Sequence, residues 1–527
     1  MDAIEQLKED LRLGRISVDR LVDLLVSTQH KLQAAQQLID EQAKRLDEQA
    51  KRIAELEKQL SGTGGTGGTG GTAGSAGSDA QKVDQPYSVA AEEKRQEARG
   101  KKKRKRKSKK RRGRVTTAEK IKQAKRREPA YPEGVDKSKC KLSHTRVVWR
   151  LENGQGVLIA YDIYRGPKNQ YGKIPGVLGR SEFGLEIVVE IAHLVHVVGL
   201  SFDKVCGVLH FFQNLSLSKS QVDALLYRLS RHWENEFDVL CTLLANSLVV
   251  HTDETSWSIN SVWAFLSEKA RVLLFGVHKD ADTLSKILDP ASFAGIVISD
   301  DAAVYANFTQ SQKCWAHLLR KAIKLTLQDP DNEEYRAFTD LLLEIYRGAC
   351  RVQRDRRLGD AGRERKVAEL EGDIRDACEG MWLADPPPLE GPEDDYRLLV
   401  NELMRLMLDG QLFTFVTAKP VEQLNGESQP VAGTNNESER TLRDPGQARA
   451  TGRTSKTPKG CRRKTVLTSV FESLRLYLAT YTLSEVMKEV HRWLEKGRSC
   501  FADLLDKLKL TRSKQPLLDQ VLPLPNS

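Results

Sequence analysis

Apolar residues recur every seven positions at the start of the chain, at Leu25, Leu32, Ile39, Leu46, Ile53 and Leu60. That strict spacing predicts a left-handed coiled coil over residues 1–60. The segment Asp40-Glu41-Gln42-Ala43-Lys44-Arg45 repeats as Asp47 to Arg52, in step with the heptad. Ala43 and Ala50 hold the companion core positions, with Gln29 and Gln36 before them, so the seam is thin and predicts a weak or conditional homo-oligomer. Patterning then stops. Gly62 to Ser78 contains three Thr-Gly-Gly copies and nothing able to pack, which predicts a flexible tether.

Periodicity returns near Tyr131. Val147 to Leu151 and Gly156 to Tyr161 predict two strands around Glu152-Asn153-Gly154. From Phe183 to Asn246 the spacing is helical, with Leu185, Val188, Val189, Ala192 and Val195 on one face. Ser201 is expected to cap a second helix, and Ser218 or Ser220 a third that runs through Trp233. Three such helices suit a helix-turn-helix DNA reader and a plain helical platform equally. The pattern then alternates: strands at Leu248–Asp253, Val262–Ser267 and Val272–Val277 form an expected meander. A helix at Asp282–Leu288, a strand at Ile296–Ser299, a fifth strand at Cys314–Ala316 and a helix from about His317 to Leu327 follow. Meander, helix, strand, helix is the order of a ribonuclease-H-like fold, in which the first and fourth strands lie side by side. Residues from about Glu333 to Leu412 are helical and charged, broken by Pro386-Pro387-Pro388, and read as an insertion. Val466 to Tyr477 and Leu483 to Leu494 read as closing helices.

The fold class expected is therefore multidomain α/β. Its parts are a coiled coil (1–60), a tether with a basic tract (61–128), a small β element with a helical region (129–246) and the first part of the ribonuclease-H-like domain (247–330). A helical insertion (331–420), the last part of that domain (421–500) and a C-terminal tail (501–527) complete it.

Charge changes this picture at one place. Eighteen Lys and Arg and one acid lie between Arg99 and Arg127, a local net of +17 against a total of +11, which leaves the rest of the chain at −6. The tract centres on Lys101, Lys102, Lys103, Arg104, Lys105, Arg106 and Lys107. Such a block repels itself and predicts a phosphate-binding arm without sequence choice, unfolded when unbound from Ser61 to about Glu128. Eight scattered cysteines with no Cys-x-x-Cys pair argue against a zinc ribbon and a disulfide framework. No run of 18 apolar residues and no signal pattern occur, so a cytoplasmic, nucleoid-associated protein with no membrane partner is expected.

Two of the strands deliver acids. Leu248-Val249-Val250 leads to Asp253, and Ile296-Val297-Ile298-Ser299 leads to Asp300. Paired strands would bring the two carboxylates together, a common way to hold divalent metals against phosphates. Trp257 and Trp263 read as core.

Four motifs occur in succession: His251-Thr252-Asp253-Glu254-Thr255; Asp300 with Tyr305; Cys314-Trp315-Ala316-His317 with Arg320-Lys321; and Asn435-Asn436-Glu437-Ser438-Glu439-Arg440. Together they resemble the insertion-sequence 66 family of transposases, over roughly residues 130–495 and the coiled-coil start. The resemblance implies a DDE-type polynucleotidyl transferase acting on double-stranded DNA at element ends and on target DNA, with accessory proteins of the same element as further partners. Position by position it makes Asp253 and Asp300 the first two acids and Glu439 the third. Two Mg2+ ions, with Mn2+ as a substitute, would be held by Asp253 bridging, Asp300 on one ion and Glu439 on the other. Glu437 and Glu439 point about 200° apart on a helix, so only one can face the metals, and Glu427 is a weaker third candidate. Arg440 and Arg443 are expected to clamp phosphates, and His317 reads either as a satisfied core histidine or as a neighbour of the scissile phosphate. The family's usual Cys-x-x-Cys segment is missing, since Cys140 stands alone. The competing expectation is a non-catalytic DNA-binding protein derived from a transposase.

Overall fold

A computed structural model describes residues 115–383, 391–512 and 516–523. The expected coiled coil, the tether, the Lys101–Lys107 tract and the Pro386–Pro388 break lie outside those residues. The described part is mixed α/β, with fifteen α-helices.

Order begins earlier than the charge pattern predicts. Helix α1 spans Thr117–Gln123, and Thr116 and Glu119 close a reciprocal capping box at its start. Strand β1, Arg126–Ala130, pairs in parallel with β3, Gln155–Arg165. The expectation of disorder up to Glu128 is corrected because the last cations of the tract find acids. Lys120 meets Glu182 at 2.6 Å, Arg126 meets Glu152 at 2.5 Å and Arg127 meets Asp162 at 2.9 Å. Strand β2, Lys141–Glu152, pairs antiparallel with β3 around Asn153-Gly154, both at positive φ, as a two-residue hairpin turn requires.

Three helices follow: α2, Leu185–His196; α3, Phe202–Gln213; and α4, Lys219–Ala245. Ser201 caps α3, and Ser218 rather than Ser220 caps α4 through a capping box with Gln221. All three lie as a layer in one core with the sheet, so the platform expectation describes their packing.

That sheet has the order β6-β5-β4-β7-β8. Strands β4 (Val249–Ser256), β5 (Ser261–Ser267) and β6 (Arg271–Val277) form the expected meander. Helix α5 (Ala281–Ile287) leads to β7 (Ile296–Ser299), which joins β4 in parallel, and β8 (Ser311–Lys313) joins β7 in parallel. The fifth strand expected at Cys314–Ala316 is corrected: Cys314 already caps helix α6, Trp315–Gln328. Its buried residues, Trp315, Leu318, Leu319 and Ala322, keep helical spacing, and a three-residue apolar run cannot reveal which period it belongs to.

Alternation along the strands assigns the two faces. Val250 and Val297 join the core shared with α2–α4, while Val249 and Ile298 join a second core. The second core is filled by α6 and by helices α7 (Glu333–Arg354), α8 (Asp360–Leu383), α9 (Pro392–Leu408) and α10 (Thr414–Thr417). A short hairpin of β9 (Val421–Glu422) and β10 (Ser428–Gln429) then leads to α11, Asn436–Ala450. Helices α12 (Pro458–Tyr477), α13 (Leu483–Lys496), α14 (Cys500–Lys507) and α15 (Leu517–Val521) close the chain. Residues beyond 500 are more than a bare tail, because Phe501, Leu505 and Leu518 enter the first core.

Strand β6 is an edge, and an edge strand with unpaired amides invites association. Helix α12 covers it. Thr465, Ser469 and Ser473 repeat every four residues on one helix face. They accept hydrogen bonds from the amides of Phe275, Leu273 and Arg271 at 2.9, 2.9 and 3.0 Å. Ser469→Val is therefore expected to strand the Leu273 amide and lower stability by about 1–3 kcal/mol. Urea unfolding checks it, and an unchanged midpoint would remove the ladder from the account.

Candidate active site

Strand alternation also aims the acids. Asp253 continues the Val249 side of β4, and Asp300 continues the Ile298 side of β7. The parallel register pairs Val249 with Ile296, Val250 with Val297 and His251 with Ile298. The same offset sets Asp253 opposite Asp300, on the face covered by the insertion.

Glu439 arrives from 139 residues beyond Asp300, and Asn435 determines where. The Asn435 side chain is fully buried; its Nδ2 donates to the Thr252 carbonyl at 2.8 Å. Its backbone amide donates to Cys314 Sγ at 3.1 Å, and Trp315 N–H donates to the Gly433 carbonyl at 3.0 Å. The start of α11 is thus tied between β4 and the head of α6. One turn later Glu439 meets Arg320 at 2.5 Å and lies 3.6 Å from His317 Nδ1.

Glu437 goes the other way. It pairs with Arg271 of the edge strand at 2.8 Å and lines a cavity of about 770 Å3 together with His251, Arg440 and Arg475. Of the two glutamates, Glu439 is the one whose charge acts on Asp253. Glu427 sits exposed by the β9–β10 turn, away from any such placement. Arg440 is exposed on the cavity side. Arg443, also exposed, lies four residues after Glu439 and so shares its helix face.

The electrostatics agree with this convergence. Burial, with the carboxylates of Glu254, Asp300 and Glu439 adding to it, pushes Asp253 up to about 7. The Glu254 amide works against this by donating to Asp253 Oδ1 at 2.9 Å. Burial also holds His317 below its usual range, with Arg320 as a second cause. A buried carboxylate whose neighbours are also acidic is the kind of oxygen donor that hard divalent cations suit.

Several neighbours were not singled out by sequence reasoning. Glu254 is screened from solvent and spent on Lys279 at 2.5 Å and on the Tyr305 hydroxyl, which donates to it. Lys313, buried in β8, donates to Ser299 Oγ and to the Asp300 carbonyl, both at 3.2 Å. It bolts β8 under the second acid. Asp301 turns outward to pair with Arg405 of α9. The available signal for Glu254 was its place beside Asp253; nothing in the local pattern marks Lys313. Trp257 and Trp263 are core, as expected, at 6% and 0% exposed. All eight cysteines are free. Among the described residues no helix is long and apolar enough to cross a membrane.

The burial of Asp253 among acidic neighbours has a measurable sign. A carboxyl raised from its ordinary range to about 7 costs the fold stability as pH rises through that window. Asp253→Asn is expected to raise the melting temperature in chelator at pH 8, by roughly 2–4 °C per kcal/mol relieved, and the gain should vanish by pH 4. Differential scanning calorimetry at the two pH values decides; a gain that is equal at both, or absent at pH 8, contradicts the raised Asp253 carboxyl.

No curated protein matches the chain. A match to a family model begins in the segment before α2 and ends at the start of α9, so it takes in Asp253, Asp300, Cys314 and His317 and stops short of Glu439. That model is described as Transposase IS66 family and covers residues 180–392, so this segment of the chain resembles the transposase IS66 family.

Proposed function

We propose that this transposase-family chain is a DDE-type enzyme that cuts DNA at insertion-sequence ends and joins the freed 3′-hydroxyl to target DNA. The reading is supported by the strand register that sets Asp253 opposite Asp300 and by the carboxylates of Asp300 and Glu439 acting on Asp253. The sheet order, with the first strand between the second and fourth, supports a ribonuclease-H-like domain split by the helical insertion.

In this reading Asp253, Asp300 and Glu439 would hold the divalent cations. Two divalent cations, when bound, would activate the attacking oxygen and steady the leaving one. The chain's own residues do the rest. Asn435 holds the start of the helix that carries Glu439, and Arg320 balances the charge of Glu439. Lys313 fixes the strand end that carries Asp300. Arg443, on the face of Glu439, reaches for a phosphate beside the site, where a charged fork binds it best. His317 stands at the same rim, held neutral by burial, and is suited to accept a hydrogen bond there.

Residues outside the described part complete the proposal. The Lys101–Lys107 arm would hold DNA by counterion release, so binding should weaken steeply with salt. The heptads of residues 1–60 would pair protomers. Protein of this kind would work at the nucleoid, in the cytoplasm.

With a labelled element end and Mg2+, Asp253→Ala, Asp300→Ala and Glu439→Gln are each expected to lose more than the roughly 10–100-fold typical of removing an outer-shell partner. Glu437→Gln should stay within a few-fold of the parent. Gel analysis of the cleaved strand reads this out. Cleavage that survives Asp253→Ala unchanged would sink the catalytic reading in favour of plain DNA binding.

A further inference from the structure

We infer that Cys314, His317 and Glu439 form a site for one borderline-soft divalent cation of the zinc type, so that the Glu439 end of the acidic cluster takes a different ion from the all-carboxylate end. The inference deepens the reading of Glu439 given above and rests on it.

The first observation is distance. One sulfur, one imidazole nitrogen and one carboxylate oxygen from these residues all lie within 4.8 Å of one another. The second is how the sulfur is held. Cys314 is 1% exposed at the cap of α6, and the Asn435 amide donates to its Sγ at 3.1 Å. The His317 amide donates to the Cys314 carbonyl at 3.0 Å and so holds the residue at the start of the helix. Burial pushes the thiol up, and N–H donation to the sulfur works against it, toward the thiolate that binds metal. The third is the imidazole. His317 Nδ1 is shut off from solvent and has no hydrogen-bond partner, yet it points toward Glu439 at 3.6 Å. A buried ring nitrogen without a partner is uncommon in a folded protein and asks for one.

The chemistry then selects the ion. Magnesium takes hard oxygen ligands and octahedral geometry, and a thiolate beside an imidazole offers neither. Zinc binds sulfur, nitrogen and carboxylate together, and three protein ligands with one open position is the pattern of its catalytic sites. The Cys-x-x-His spacing at a helix start brings both side chains to one end of α6, and the Asn435 anchor delivers the third donor. Arg320 takes Glu439 in the structure, but its side chain is 54% exposed and can turn aside without losing a buried contact.

The test uses the full-length chain, stripped with chelator and titrated with Co2+ as a spectroscopic substitute for zinc. One equivalent is expected to produce a sulfur-to-cobalt charge-transfer absorption that Zn2+ then bleaches. Cys314→Ser should abolish the band. His317→Ala, at a half-buried rim position where folding is not at stake, should weaken cobalt binding about tenfold or more, whereas Asp301→Asn should leave it intact. A wild-type chain that saturates with cobalt and shows no sulfur band overturns the inference, as does a band that persists in both Cys314→Ser and His317→Ala. Mg2+-supported cleavage alongside that missing band would leave the strand-cleavage reading standing. A Cys314-dependent band in a chain that cleaves with no divalent ion would do the reverse.

Discussion

One buried amide decides whether there is a site at all. Asn435 spends its side chain on the Thr252 carbonyl and its backbone on Cys314 sulfur, so a helix that starts more than 130 residues after Asp300 begins between the two elements that matter. Neither bond is large alone, since a hydrogen bond contributes only about 1 kcal/mol net. Both are shielded from water, where leaving a polar group unmet costs more than making the bond gains. The two bonds set where the helix starts, although Asn435 Oδ1 is itself buried without a partner, and Glu439 follows one turn later. The same anchor explains why Glu437, two residues earlier, is turned to the edge strand and its arginine.

The layers around the sheet serve the same end. Helices α2–α4 and α12 press on one face and the insertion on the other, so Val250 and Val249 are held from opposite sides. Strand ends held this firmly can keep carboxylates close that would otherwise drift apart under their own repulsion. The hydroxyl ladder of α12 seals the one open edge of the meander and leaves the acid-bearing strands in the middle. Lys313 and the Lys279–Glu254–Tyr305 contacts then balance charge just behind the site without occupying it.

Much of this was legible in the residues. Alternating apolar runs reported the strands and their order, because a buried strand must present apolar side chains to both faces. Asp253 and Asp300 were legible for the same reason, being the first acids after such runs. Ser201 and Ser218 were legible as caps by side-chain chemistry alone. What failed was local. Cys314-Trp315-Ala316 is apolar in either period, so its helix looked like a strand. The last cations of the basic tract looked unfoldable because their acids, Glu152, Asp162 and Glu182, lie far along the chain. Glu439 was reached through family resemblance, since nothing near it in the chain reveals that Asn435 is anchored to strand β4. Lys313 and the role of Cys314 escaped for the same reason: their partners are distant in sequence.

The account rests on three acids from separate elements acting as one cation site. Anomalous diffraction from crystals of the chain soaked in Mn2+ tests that most directly. The account predicts a peak bounded by Asp253, Asp300 and Glu439, and none at Glu437. Soaked crystals with no peak among those three carboxylates, or with manganese bound at Glu437 instead, would contradict it.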